Sequence, residues 1–99
     1  MGLKIKKQLT CQEIAEKTVK DRFAYQSAFE LEMALRAVQT AKPKVILEIG
    51  VANGASIAAW AEACRPDLVI GMDPLTNPKT PEQQKSFDGL MKEFNVQLI

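Results

Sequence analysis

The stretch Lys44-Val45-Ile46-Leu47-Glu48-Ile49-Gly50-Val51-Ala52-Asn53-Gly54 decides the fold of this 99-residue chain. Its apolar run from Val45 to Ile49 contains three β-branched residues and one interrupting Glu48. Such a run is typical of a strand that is covered on both faces, as in parallel sheets. Gly50 ends the run, and a glycine pair four residues apart permits backbone dihedrals that other residues avoid. The stretch therefore predicts a buried strand, then a glycine turn that leads into a helix.

A second apolar strand is predicted in Asp67-Leu68-Val69-Ile70-Gly71-Met72-Asp73, after an Ala-rich segment that favours a helix. Trp60 is expected to anchor that helix against the sheet or a neighbour. Asp73 follows Gly54 by 19 residues, a spacing that fits a ribose-binding carboxylate at the tip of the second strand of a mononucleotide-binding βαβ unit. A simple turn formed by Asp73 and Pro74 is the alternative. The pattern predicts an α/β fold with a Rossmann-like parallel sheet and a nucleoside-like ligand.

Two classes of cofactor bind such a unit. The dinucleotide fingerprint G-x-G-x-x-G/A needs a glycine where this chain has Ala52, which disfavours an NAD(P)-binding domain. Glu48-x-Gly50-x-x-x-Gly54 instead resembles motif I of the class I S-adenosylmethionine-dependent methyltransferases. Residues 47–56 and 71–74 are most similar to the small-molecule O-methyltransferases of the caffeoyl-CoA/catechol type, and the resemblance covers roughly residues 31–99.

The resemblance implies that S-adenosyl-L-methionine is the cofactor, with its methionine part on the glycine loop and its ribose on Asp73. The expected cofactor-binding residues are Glu48, Gly50, Val51, Ala52, Asn53, Gly54, Ser56, Asp73 and Pro74. A buried carboxylate needs compensation, so Glu48 is expected to hold the amides of the loop or to lie near the positive end of the cofactor. A buried pair with Lys or Arg is its alternative. Ser56, in the first turn of the helix, suits the carboxylate end of an amino-acid-like ligand or caps the helix locally.

A complete domain of the resembled family has a seven-stranded sheet, whereas three strands are predicted here. The expected organisation is an N-terminal helical segment at 1–42 and a partial cofactor-binding unit at 43–99, together one domain in α-β-α-β-α-β order with two preceding helices. No catalytic residue carries over. The expected partners are a small-molecule methyl acceptor and either a second copy of the chain or a missing C-terminal half, because a short sheet exposes an apolar edge and face. A non-catalytic module that acts in oligomerisation or binding is the alternative function.

Local signals place the remaining elements. Capping boxes predict helices from Thr10 to about Phe23, from Ser27 to about Ala41, and after Thr80, where Pro81 suits the first helical position. A third strand is predicted at 96–99. In the resembled family the segment before the second helix often approaches the cofactor, which makes Phe23, Tyr25 and Gln26 candidates to line the site. The favoured expectation is that the aromatics pack between two helices.

Composition excludes several function classes. Net charge is +1 and histidine is absent, so nothing favours nucleic acid or an anionic membrane, and the commonest general base is missing. Lys4, Lys6 and Lys7 are expected to form a solvated terminus. Cys11 and Cys64 lack the spacing of a metal site and are expected to be two reduced, unrelated thiols, with a disulfide as the alternative. With no apolar leader segment, a cytoplasmic location is expected.

Overall fold

The computed structural model describes residues 8–99, so the expected basic terminus at Lys4, Lys6 and Lys7 lies outside the described residues. The described elements follow one another as α1 (Cys11–Asp21), α2 (Ala28–Ala41), β1 (Val45–Ile49), α3 (Ala55–Cys64), β2 (Leu68–Met72), α4 (Pro81–Glu93) and β3 (Gln97–Leu98). The three strands form one parallel sheet in the order β1-β2-β3. This is the predicted Rossmann-like α/β arrangement, with two helices before the first strand.

Short-range signals set the helix starts. Thr10 and Glu13 form a complete capping box at α1, as do Thr80 and Gln83 at α4, where Pro81 occupies the first position. Ser27 also caps α2 by accepting from the Glu30 amide at 3.2 Å. The Glu30 carboxylate, however, accepts from the Ser27 hydroxyl instead of returning to the backbone. Each cap satisfies amides that a helix start leaves without intrahelical partners.

The Ala-rich helix α3 lies between two apolar clusters. One cluster joins α3 to the sheet and α4, and its buried members are Val51, Ile57, Ala58, Ala61, Val69, Phe87, Leu90 and Met91. The other joins α3 to the first two helices, through Cys11, Ile14, Ala15, Leu31, Leu35, Ala59 and Ala63. Small side chains on both sides of α3 allow this close packing, which holds the helix directly behind the loop that follows β1.

One face of the sheet is open, which corrects the prediction that β1 is covered on both faces. Glu48 contacts α3, so strand alternation turns Val45, Leu47 and Ile49 to the opposite face. Those three side chains are 56%, 53% and 76% exposed. Among residues 8–99 the helices that contact the sheet lie on the Glu48 side, and this leaves an apolar face and the outer edge of β1 uncovered, as expected for a short sheet. The apolar run of β1 therefore shows that this face could be buried, although no described element covers it.

Candidate functional site

The loop after β1 contains three residues with left-handed backbone conformation. Gly50 has φ +84°, Ala52 +49° and Gly54 +80°, and the Gly54 amide donates to the Val51 carbonyl at 2.9 Å to close the turn. Glycine adopts such angles freely, whereas alanine is strained there. Ala52 is therefore the one strained residue among these three.

The two glycines do different work. A Cβ built on Gly50 meets no atom within 4 Å, so the main chain there borders open space. A Cβ on Gly54 would lie 2.8 Å from the Met91 methyl carbon and 3.3 Å from the Phe87 ring. Gly54 thus allows α4 to pack against the loop, and Gly50 is the glycine that leaves main chain accessible.

Asp73, at the tip of β2, holds the glycine loop. Its Oδ2 atom accepts from the Val51 amide at 2.7 Å and the Ala52 amide at 3.1 Å, and its Oδ1 atom accepts from the Leu75 amide at 2.7 Å. These backbone donors, the Leu75 amide first, lower the pKa of the Asp73 carboxyl below its ordinary value of 3.8. The two places that sequence spacing predicted to meet, the glycine loop and the strand tip, are in direct contact.

Asp73, and not Glu48, accepts from the loop amides. Among the ion pairs of residues 8–99, none joins Glu48 to a Lys or Arg. Its Oε1 atom instead accepts from the Ser56 hydroxyl at 2.7 Å and from the Trp60 indole N–H at 3.2 Å. Its Oε2 atom is buried and has no hydrogen-bond partner among residues 8–99. Burial raises the pKa of the Glu48 carboxyl, and the two hydrogen bonds only partly offset that effect.

Ser56 and Trp60 are both positioned by Glu48. The Ser56 hydroxyl donates to the carboxylate, and Gly54 at the N-cap position of α3 offers no side-chain cap. Trp60 anchors α3 against β1 as predicted, through its indole N–H.

A cavity of about 150 Å³ lies over the glycine loop. One wall is formed by loop and helix residues, namely Gly50, Val51, Ala52, Asn53, Ala55 and Ser56. The other wall is a strap, residues 23–26, that connects α1 to α2. Phe23 and Tyr25 are 41% and 80% exposed, so the expectation that these aromatics pack between two helices is wrong. The strap instead lies against the glycine loop, where the Asn53 side chain donates hydrogen bonds to it.

Asn53 joins the loop to the strap. Its side chain is buried, and its amide nitrogen lies 3.2 Å from the Phe23 carbonyl oxygen and 3.4 Å from the Tyr25 hydroxyl. These residues are about thirty positions apart, and no local pattern predicts their contact. An Asn directly before a glycine is an ordinary turn residue in sequence, and no local pattern indicates that it bridges two segments.

The remaining predicted site residues do not line the cavity themselves. Glu48 connects to it through Ser56, and Asp73 through the amides of Val51 and Ala52. Gly54 lies in the core beneath the loop, and Pro74 is exposed after the tip of β2. The structure therefore brings Gly50, Val51, Ala52, Asn53 and Ser56 to one cavity, with Asp73 at its back.

Other polar chemistry in the described residues is sparse. No group of three His, Cys, Asp or Glu side chains within 8–99 is arranged to hold a metal ion. Both thiols are free: Cys11 is buried and donates to the Gln39 side-chain oxygen, and burial raises the pKa of Cys64. Over the same residues, no helix has both the length and the hydropathy that a bilayer crossing requires.

No family model and no curated protein matches the chain. Among solved structures, the chain is similar to the crystal structure of an SAH-bound methyltransferase from Podospora anserina, with 24% sequence identity and a TM-score of 0.57. The match covers 91% of this chain and 40% of that chain. This chain thus spans well under half the length of its structural neighbour. The likeness confirms the predicted fold class: the chain has a Rossmann-like α/β fold similar to the matched part of that structure.

Proposed function

We propose that the chain is the S-adenosyl-L-methionine-binding portion of a class I methyltransferase that acts on a small-molecule acceptor. The observation that carries the proposal is the open space over Gly50, at the carboxyl end of β1 and backed by Asp73. Ligands of open parallel sheets bind at the carboxyl ends of the strands. The bound SAH in the structural neighbour adds support from a protein of the same fold.

The residues present fit such a cofactor at two places. Main chain at Gly50 has no side chain to displace, so a ligand can lie directly on it. Asp73 uses three of roughly four acceptor sites for backbone amides, which leaves one on Oδ1 for a ribose hydroxyl. The cavity of about 150 Å³ has room for several water molecules, and therefore for the amino-acid end of the cofactor. The adenosine would then extend outward along Asp73 and Pro74.

When bound, this cofactor supplies an electrophilic methyl group for in-line displacement by the acceptor. The contribution of this chain would be to hold the donor in a fixed orientation, since alignment of two reactants accounts for much of such catalysis. The acceptor wall would come from surface beyond the described residues or from a partner chain. The proposed subclass is a small-molecule O-methyltransferase of the caffeoyl-CoA/catechol type. Its support is the sequence resemblance of residues 47–56 and 71–74 to that type.

Isothermal titration calorimetry of the full chain with SAH and with S-adenosyl-L-methionine tests the proposal. We expect saturable binding of both ligands with a stoichiometry near one. Absence of heat at millimolar ligand, with the protein shown to be folded by circular dichroism, would overturn the proposal. Titration with NADH in parallel separates it from the dinucleotide alternative.

A second candidate function is association, and the open sheet face favours it. Strand register places Val45, Leu47, Ile49, Leu68, Ile70, Met72, Gln97 and Ile99 on this face, and none of these residues is charged. An uncharged apolar face meets a second copy of itself without like-charge repulsion. The outer edge of β1 also carries no Lys, Pro or bulge within Val45–Ile49 that would discourage pairing. We therefore propose a second copy of the chain as the partner on this face.

A further inference from the structure

We propose that the Tyr25 hydroxyl donates a hydrogen bond to the carboxylate of an amino-acid-bearing ligand, and that Asn53 positions it for that contact. The inference rests on the proposed function and deepens it by assigning the polar end of the ligand to the strap. It comes from the hydrogen-bond directions around the cavity.

The orientation of the Asn53 amide is fixed by its surroundings. The Phe23 carbonyl oxygen, 3.2 Å away, can only accept a hydrogen bond, so the NH₂ group of the amide must face it. Asn53 is 6% exposed, so this donor would be costly to leave unsatisfied. The contact therefore fixes the strap in place over the loop.

The same NH₂ group determines the hydrogen-bond direction of the Tyr25 hydroxyl. It lies 3.4 Å from the Tyr25 hydroxyl oxygen, which must accept, because the amide nitrogen has no acceptor to offer. The hydroxyl proton of Tyr25 is then directed away from Asn53. Tyr25 lines the cavity and is 80% exposed, so core packing does not account for its position.

Ser56, on the opposite wall, has the complementary polarity. Its hydroxyl proton is engaged by Glu48 at 2.7 Å, so its oxygen can act only as an acceptor toward the cavity. The cavity thus presents a donor at Tyr25 and an acceptor at Ser56. A zwitterionic α-amino acid group has the matching pair, with its carboxylate for Tyr25 and its ammonium for Ser56. Ser56 was expected to bind the carboxylate end, and the direction of its hydrogen bond assigns that contact to Tyr25.

Two ligands separate this inference from the proposed function. SAH carries the amino-acid end, whereas 5′-methylthioadenosine has the same nucleoside thioether without it. We expect Tyr25→Phe to weaken SAH binding about tenfold, as for loss of one hydrogen bond to a charged group, and to leave 5′-methylthioadenosine affinity unchanged. Phe29→Leu, at another exposed aromatic that does not line the cavity, is the matched control.

Asn53→Asp tests the positioning role, because a carboxylate cannot donate to the Phe23 carbonyl. We expect faster amide hydrogen exchange in residues 23–27 of the unliganded variant, together with the same selective loss of SAH affinity. Equal losses for the two ligands in Tyr25→Phe, or no loss for either, would overturn this inference and leave the proposed function standing. Wild-type protein that bound neither ligand would overturn both.

Discussion

The amide nitrogen of Val51 lies 2.7 Å from a carboxylate oxygen of Asp73, so the tip of β2 fastens the loop that follows β1. Because the same oxygen also accepts from Ala52, the carboxylate fixes two successive peptide groups. A loop held in this way keeps the space over Gly50 open before any ligand arrives. Preorganisation of this kind lowers the ordering cost of binding.

Replacing Asp73 by Ala should destabilise the protein at neutral pH and weaken SAH binding. The pKa of this carboxyl is lowered in the folded state, so its stabilising effect is present above the ordinary value of 3.8 and is lost as pH falls through the lowered pKa. Urea unfolding from pH 7 to pH 2 should therefore show the wild type and Asp73→Ala converging at the acid end. Asp67→Ala, at the exposed opposite end of β2, is the control. Parallel curves for wild type and Asp73→Ala at every pH would contradict the assignment.

Replacing Ala52 by Gly should stabilise the fold. The left-handed backbone at φ +49° costs an alanine about 1–2 kcal/mol, and the added freedom of glycine in the unfolded chain costs roughly 0.4–1 kcal/mol. A net gain of up to about 1.6 kcal/mol is expected in the free energy of unfolding by urea. Ala37→Gly, at an exposed position inside α2, should instead lose about 1 kcal/mol. If both variants lose stability to the same extent, Ala52 is not strained.

Replacing Glu48 by Gln should change how stability depends on pH. Burial raises the pKa of Glu48 in the folded state, so the unfolded chain releases its proton first as pH rises above 4.5. Wild-type stability therefore falls between 4.5 and the raised pKa, and Glu48→Gln removes that fall. Urea unfolding from pH 4 to pH 8 measures it, with Glu82→Gln, an exposed residue of α4, as the control. A variant whose stability falls as steeply as that of wild type over this range would show that Glu48 is not the group responsible.

Replacing Leu47 by Lys should abolish self-association. Leu47 lies at the centre of β1 on the open face, and a charge there would have to be buried between two copies. Sedimentation velocity should show a concentration-dependent dimer for the wild type and a monomer for Leu47→Lys. Met33→Lys adds the same charge at a half-exposed site on α2 and should leave the dimer intact. A monomeric wild type at all concentrations would exclude a second copy as the partner.

Signals that act over a few residues predicted most of the fold. Thr10, Ser27 and Thr80 cap their helices through residues three positions away, and Gly50 breaks β1 where the sequence indicated. The cover of β1 could not be predicted in the same way, because an apolar run shows that a strand tolerates burial and not which element, if any, packs on it. Val45, Leu47 and Ile49 are apolar, but the described helices pack on the opposite face of the sheet.

The sequence predicted which segments form the site but not the hydrogen bonds that join them. The spacing between Gly54 and Asp73 correctly predicted that the tip of β2 meets the loop, because neighbouring parallel strands end at the same edge of the sheet. Strand alternation alone does not determine which carboxylate faces the loop amides, so it could not predict that Asp73 and not Glu48 holds them. The bridge from Asn53 to the strap joins residues distant in sequence, and only the packed structure shows it.

Calorimetric titration of SAH into Gly50→Val is the most direct test of the central claim that bare main chain at Gly50 seats the ligand. A side chain there would occupy the space that the structure leaves open, so the variant should show no detectable binding where the wild type saturates. Gly89→Val, at an exposed helical glycine that also borders open space, controls for the added bulk and should bind as the wild type does. A folded Gly50→Val protein that binds SAH with wild-type affinity would contradict the account.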